Sequence, residues 1–141
     1  MIQIIAGERG KGKTKFLLEN AEKALQKAEG TIAYLDKNNK HIHELDIKIR
    51  LIDVSEFPVL SSDGFIGFVA GILSQDHDLE YLFLDSFLKL AHLEENDAKT
   101  EGVLTELEKL SEKFHVTLVI SISQAGASLP ESQQKNIIVS L

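Results

Sequence analysis

The sequence predicts an α/β fold of three layers, in which a mostly parallel sheet is covered by helices on both faces. Two observations indicate this arrangement. Short segments that are apolar throughout recur along the chain, and segments with helical periodicity separate most of them. Strands that are apolar on both sides are typical of a parallel sheet buried between helix layers. Such sheets bind ligands beyond the carboxyl ends of their strands, so functional residues are expected at those ends.

The first predicted unit is a strand, a loop and a helix. Ile2–Ala6 is an apolar run that is too short for a helix, and it ends at Gly7. From Lys13 to about Ala28, apolar residues recur at helical spacing, and Gly30 is well placed to end that helix. The unit therefore predicts a buried strand whose carboxyl end leads into a helix N-terminus.

The middle of the chain predicts two strands and a second helix. Thr31–Asp36 and Ile49–Val54 have the composition of strands. Ser61 supplies an N-cap for a helix that runs to about Gln75. Three glycines are expected near one face of this helix, where another backbone could approach closely: Gly64, Gly67 and Gly71.

The remaining elements continue the alternation of strand and helix. Tyr81–Asp85 is an apolar strand that ends in a carboxylate. Thr100 is expected to cap a helix whose apolar stripe reaches Phe114. Val116–Ser123 is a mainly apolar strand, and Ile137–Leu141 is a short last strand.

Length and composition exclude several classes of protein. The 141 residues, 43% of them hydrophobic, predict one domain (1–141) with a real core, which excludes intrinsic disorder. The absence of cysteine excludes disulfides, thiolate zinc sites and cysteine nucleophiles. A net charge of −7 argues against general attraction to nucleic acid or anionic membranes. The longest apolar run has about half the ~20 residues of a membrane span, and no signal peptide is recognisable, so a cytoplasmic protein is expected.

The loop after the first strand carries the strongest motif. Residues 7–14 match G-x-x-x-x-G-K-[ST] at every fixed position. Glycines allow positive φ, so that successive N–H groups converge on a phosphate, while Lys13 reaches the β- and γ-phosphates and the Thr14 hydroxyl ligates Mg²⁺. For Arg9, both phosphate contact and solvent exposure stay open. The residues expected to bind the nucleotide are Gly7, Arg9, Gly10, Lys11, Gly12, Lys13, Thr14 and Lys15.

A phosphate loop of this type needs an acid on a neighbouring strand to hold the hydrated Mg²⁺. Asp85 fits this role because four apolar residues carry it to a strand end. Asp36 and Asp53, which also follow apolar residues, are its competitors. Asp85 is preferred because its strand is the most apolar of the three.

With these residues the sequence resembles the RecA-like (ASCE-type) branch of P-loop NTPases. The resemblance rests on Gly7–Thr14, on Leu82–Ser86 and on Val119–Gln124. The chain is also similar as a whole to a family of small bacterial ATP-binding proteins of uncharacterised function, some of them labelled as twitching-motility ATPases. Motor ATPases with that label have a further N-terminal domain and arginine-rich and histidine motifs that this sequence does not contain.

The resemblance implies roles for individual residues. Lys13 and Thr14 would bind phosphate and Mg²⁺, Asp85 would hold a water of the metal, and Gln124 would sense the γ-phosphate. The implied order of the strands across the sheet is Ile137–Leu141, Ile2–Ala6, Val116–Ser123, Tyr81–Asp85, Thr31–Asp36 and Ile49–Val54 at the edge.

One departure from that family bears on catalysis. RecA-like ATPases usually carry a glutamate just after the second strand to polarise the attacking water, whereas this sequence has Asn38 there. Asparagine orients a water but takes no proton, and general-base catalysis is typically worth ~10²–10⁴-fold. We therefore expect nucleotide binding with slow hydrolysis, unless the loop turns Asp36 inward to take over.

The arginine content separates the function classes. Arg9 and Arg50 are the two arginines, so the second half of the chain cannot supply the arginine clamp typical of small-molecule kinases and nucleotidyltransferases. The leading interpretation is an ATP- and Mg²⁺-binding protein that is a slow ATPase or a switch acting on a partner. A phosphotransferase and a non-hydrolysing binding module are the alternatives, and an unidentified protein partner and a homo-oligomer both stay open. The absence of a guanine-reading Asn-Lys-x-Asp motif favours adenine.

Two weaker patterns have simpler explanations. His41 and His43 with Asp46 have metal-ligand chemistry, but alternation on a polar loop accounts for them. Several lysines near the phosphate loop lack the interleaved aromatic residues that stack bases, so nucleic-acid binding is not expected.

Overall fold

The computed structural model describes residues 1–141, and one six-stranded sheet lies at its centre. The strands are β1 (Ile2–Gly7), β2 (Thr31–Asp36), β3 (Ile49–Asp53), β4 (Leu79–Leu84), β5 (Thr117–Ser123) and β6 (Ile137–Ser140). They lie in the order β3-β2-β4-β5-β1-β6, and every neighbouring pair is parallel. This confirms the predicted fold class and the strand order that the resemblance implies.

Four α-helices connect the strands or cover them. They are α1 (Lys13–Lys27), α2 (Ser62–Gln75), α3 (Phe87–Leu90) and α4 (Thr100–Phe114). Short 3₁₀ segments occupy Ile42–Glu44, Val54–Glu56, Gly126–Ser128 and Glu131–Asn136. The sequence pattern does not predict α3, because four residues show no helical period.

The two faces of the sheet carry separate cores, which makes the architecture three-layered. Successive residues of a strand point to opposite faces, so Ile4 belongs to one core and Ile5 to the other. The smaller core packs against α1 through Leu17, Ala21 and Ala24. The larger core packs against α2 and α4, which contact each other.

Helix α2 confirms one part of its prediction and corrects another. The Ser61 hydroxyl accepts a hydrogen bond from the Gly64 N–H at 3.0 Å, which is the expected N-cap. The glycines of α2, however, face solvent, and a Cβ built on Gly67 or Gly71 would meet no atom within 4 Å. The prediction of a close backbone approach along them is therefore wrong, because the apolar side of α2 is formed by larger residues such as Phe65.

The predicted cap of α4 is also wrong. Thr100 is the first residue of the helix, Lys99 precedes it, and no side chain caps this terminus. The Thr100 hydroxyl is buried without a hydrogen-bond partner. A threonine ahead of an apolar helical period resembles a cap in sequence, but here the N-cap position is one residue earlier, at Lys99.

The topology brings one set of strand ends together. Strand β1 lies between β5 and β6, so the loop from Gly7 to α1 leaves from the interior of the sheet. The parallel strands β2, β4 and β5 end at this same edge. Side chains far apart in sequence therefore meet beside the glycine-containing loop.

We predict opposite effects for two glycine substitutions. At Gly30 an added Cβ would lie 2.0 Å from the Asp78 carbonyl oxygen, so Gly30→Ala must shift backbone and is expected to cost about 1–3 kcal/mol in the free energy of unfolding. Gly67→Ala, at an open position inside α2, should raise it by about 0.5–1 kcal/mol. Urea unfolding of both variants measures this, and a Gly30→Ala protein as stable as the parent would contradict it.

Candidate functional site

The loop between β1 and α1 has a conformation that its glycines make accessible. Gly10 and Gly12 have φ of 85° and 88°, in the left-handed region that other residues rarely adopt. A Cβ at either position would meet nothing within 4 Å. Glycine is therefore favoured here by the backbone conformation and not by a lack of room for a side chain. Gly7 differs, because its Cβ would lie 3.0 Å from the Cβ of Leu141.

The backbone of this loop exposes a continuous run of hydrogen-bond donors. None of the main-chain N–H groups from Glu8 to Lys15 donates to another group of the protein, and the first one in α1 to do so is that of Phe16. Positive φ at two glycines and the start of a helix both leave N–H groups without internal acceptors. The arrangement is a concentration of free donors with the positive end of a helix dipole, which favours an anion.

Asp85 lies next to this loop and is held by three hydroxyl groups. Its Oδ1 accepts from the Thr14 hydroxyl at 3.2 Å and from the Ser121 hydroxyl at 3.1 Å. Its Oδ2 accepts from the buried Tyr34 hydroxyl at 2.8 Å. Burial and then the adjacent Asp85 raise the pKa of Tyr34, which keeps the phenol protonated as a donor. The acid that follows β4 is thus fixed against α1, β2 and β5.

An open cavity of about 770 Å³ lies between the loop and the ends of these strands. Its wall is mostly polar, with four cationic and three acidic side chains. The lining includes Arg9, Gly10, Gly12, Lys13, Thr14, Lys37, Asp85, Ser86, Lys89, Glu94, Glu95, Ser121 and Ser123. Five of the eight predicted loop residues and the predicted acid therefore face one space.

Lys13 is folded back onto its own loop. Its Nζ donates to the Glu8 carbonyl oxygen at 2.9 Å, and the residue is only 7% exposed. Burial lowers the pKa of Lys13, although Asp85 acts in the opposite direction, and Arg9 adds to the lowering. An anionic ligand in the cavity would offset this desolvation and stabilise the charged amine.

Asp36, the competitor of Asp85, is turned inward beside it. The residue is 1% exposed; one carboxylate oxygen accepts from the Lys37 N–H at 2.7 Å, and the other has no partner. Burial, and then Asp85, raise the pKa of Asp36. Asp36, His41 and Asp85 each offer a ligand atom within 4.8 Å of the others, so they could hold a cation. The His41 Nδ1 also lies 2.6 Å from a carboxylate oxygen of Glu44.

The structure does not bring every predicted residue to this cavity. The Asn38 side chain accepts from the Lys40 N–H at 3.1 Å and does not line the cavity. Gln124 lines a second cavity of about 300 Å³, where its side chain accepts from the Asn96 N–H and donates to the Ser128 carbonyl oxygen. The Asp53 carboxylate caps the 3₁₀ turn that follows it.

The remaining loop residues differ in what they present. The Arg9 side chain reaches the cavity wall, whereas the side chains of Lys11 and Lys15 are exposed outside it. Both lysines still belong to the run of free main-chain donors.

Sequence reasoning missed several residues of the cavity wall. Ser121 and Ser123 interrupt an otherwise apolar strand at alternate positions, a signal that places both hydroxyls on one side of β5. The sequence places Lys37 among the lysines near the phosphate loop and Ser86 within the segment Leu82–Ser86, but it assigns neither side chain to the cavity.

Comparison with solved structures supports the architecture. The flagellar accessory protein FlaH from Methanocaldococcus jannaschii matches with a TM-score of 0.60 and 17% sequence identity. The fold is RecA-like. The match covers 93% of this chain and 63% of FlaH, so the chain spans less than two thirds of that protein's length. Comparison with protein-family models and with curated proteins found no match.

None of the helices is both long and apolar enough to cross a membrane. The longest helices, α1 and α4, have 15 residues each.

We predict that the buried carboxylate of Asp36 makes stability fall as pH rises. Because its pKa is raised on folding, the stabilisation by the protonated acid is complete below about pH 3.8 and is lost as pH rises through the folded-state pKa. Asp36→Asn stays neutral at every pH, so the free energy of unfolding of this variant should rise relative to that of the parent between pH 4 and 8.

Urea unfolding with a chelator present measures this difference. Glu19→Gln, an exposed position on α1, is the matched control and should show no pH-dependent gain. A difference between Asp36→Asn and the parent that is constant over this range would contradict the prediction.

Proposed function

We propose that this chain binds ATP with Mg²⁺ in the cavity beside the β1–α1 loop, and that it is a slow ATP hydrolase or an ATP-dependent switch that acts on a partner. The observation that carries the proposal is the run of free N–H donors from Glu8 to Lys15. These donors border a cavity that also contains a hydroxyl and a carboxylate suited to magnesium. A surface turn or a purely structural loop does not require free N–H donors next to a hydroxyl and a carboxylate.

The residues present fit a nucleotide and its metal. Main-chain donors would cradle the phosphates, and Lys13 would exchange the Glu8 carbonyl for a phosphate oxygen. Thr14 would ligate Mg²⁺ directly, while Asp85 would accept a hydrogen bond from a metal-bound water. The metal would neutralise charge on the β- and γ-phosphates.

We expect slow hydrolysis because of the residues at the end of β2. Asn38 is hydrogen-bonded within its own loop, and Asp36 lies behind the cavity wall, not on it. Lys37 is the residue of this segment that faces the cavity, and an ammonium group activates no water as a base. Efficient turnover would then require a partner that rearranges this segment or supplies a carboxylate.

Removing Lys13 tests the binding site. In the parent, ATP with Mg²⁺ at a hundred times Kd should stabilise the fold by about 2.7 kcal/mol, measured as a rise in Tm. Lys13→Ala should lose this rise. Lys23→Ala, an exposed lysine on the same helix, is the matched control and should retain it. If Lys13→Ala is stabilised as much as the parent, the assigned site is wrong.

The purified chain should turn over slowly. We expect less than ~0.1 ATP per second, about 10²-fold below a typical enzyme, because the segment that follows β2 presents Lys37 and no carboxylate to the cavity. Phosphate release under saturating ATP and Mg²⁺ measures it, with and without cell extract. Several turnovers per second by the chain alone would contradict the proposal, and labelled phosphate appearing on a small acceptor would favour a phosphotransferase.

A further inference from the structure

Lys37, which directly follows β2, brings a lysine amine to the cavity from outside the loop. Its side chain is half-buried, and its Nζ donates to the Ser86 hydroxyl at 2.8 Å. No carboxylate oxygen lies within 4.0 Å of this nitrogen, since the ion pairs of the structure are His41–Glu44 and Lys109–Glu106. A cation kept partly out of water beside a cavity, with a neutral hydroxyl as its partner, is suited to receive an anion.

The partner of Lys37 is itself held in an unusual conformation. Ser86 has a φ of 62°, in the left-handed region that a non-glycine residue adopts where surrounding contacts enforce it. Its N–H donates to the Ser121 hydroxyl at 2.9 Å, and that hydroxyl also contacts Asp85. Lys37 is therefore joined through Ser86 and Ser121 to the carboxylate that holds Thr14.

This connection locates Lys37 relative to a bound triphosphate. The main-chain donors of the loop suit the α- and β-phosphates, and the terminal phosphate extends toward the strand ends where Thr14 and Asp85 meet. Lys37 faces the cavity from those strand ends. Gln124, the residue that the resemblance assigns to the terminal phosphate, is hydrogen-bonded in the second cavity instead.

Building on the proposed function, we propose that Lys37 binds the terminal phosphate of the nucleotide and gives the site its preference for a triphosphate over a diphosphate. On binding, the amine exchanges the Ser86 hydroxyl for a phosphate oxygen. Lys37 then provides in the same chain the positive charge for which the second half of the sequence has no arginine. The resting hydrogen bond keeps the amine positioned when no phosphate is bound.

Comparing two nucleotides on the same variants tests the proposal. Titration calorimetry with Mg²⁺ and either ADP or the non-hydrolysable triphosphate AMPPNP gives a ratio of dissociation constants for each protein. Lys37→Gln should weaken AMPPNP binding about 10- to 100-fold, the usual range for a charged hydrogen bond, and change ADP binding less than about twofold. Lys37→Arg should retain the preference, and Lys40→Gln, exposed outside the cavity, should match the parent.

The result separates this inference from the proposed function. Lys13→Ala should weaken both nucleotides, and if it weakens neither, the nucleotide site itself is wrong. If Lys13→Ala weakens both while Lys37→Gln alters both equally or neither, the role of Lys37 is overturned and the site stands. Because the readout is a ratio within one protein, partial loss of folded material does not imitate the expected result.

Discussion

The carboxylate of Asp85 is the interaction on which the rest of the site depends. A buried charge is tolerated only when hydrogen bonds replace its water, and Asp85 receives three of them from hydroxyls on α1, β2 and β5. Each donor comes from a different element, so the acid joins the glycine-containing loop to the interior of the sheet. Tyr34 connects the site directly to the core, because its ring stacks on that of Phe83 while its hydroxyl donates to Asp85. The fold and the site are therefore stabilised by the same contacts.

Much of the fold was predictable because its signals are local and strong. Short, mainly apolar runs such as Ile2–Ala6 admit few interpretations other than buried strands, and Ser61 caps α2 as its sequence predicts. The failures occurred where the sequence pattern leaves the environment undetermined. The glycines of α2 face solvent, because sequence spacing alone does not say which face of a helix a neighbouring element covers. Thr100 is the first residue of α4 and not its N-cap.

The candidate site divides in the same way. The loop motif is contiguous, so its conformation follows from residue types, as the positive φ of Gly10 and Gly12 shows. Residues whose placement depends on long-range pairing were harder to predict. Gln124 directly follows the expected strand, yet its side chain accepts a hydrogen bond from the Asn96 N–H. Lys37 follows Asp36, the residue that the sequence offers as a possible magnesium-side acid. The register of β2 beside β4 brings the Lys37 amine to the Ser86 hydroxyl.

The mixed charge of the cavity wall affects how an anionic ligand would arrive. Four cationic side chains are offset by Asp85 and by Glu94 and Glu95, and the chain as a whole is negative. Beyond one Debye length, about 10 Å at 0.1 M salt, the field that such a ligand meets is nearly neutral or repulsive. The protein attracts the ligand only at close range, where the ligand can accept hydrogen bonds from individual donors of the cavity. The association rate is thus governed by diffusion and docking geometry. Because electrostatic steering contributes little to this rate, added salt should change it little.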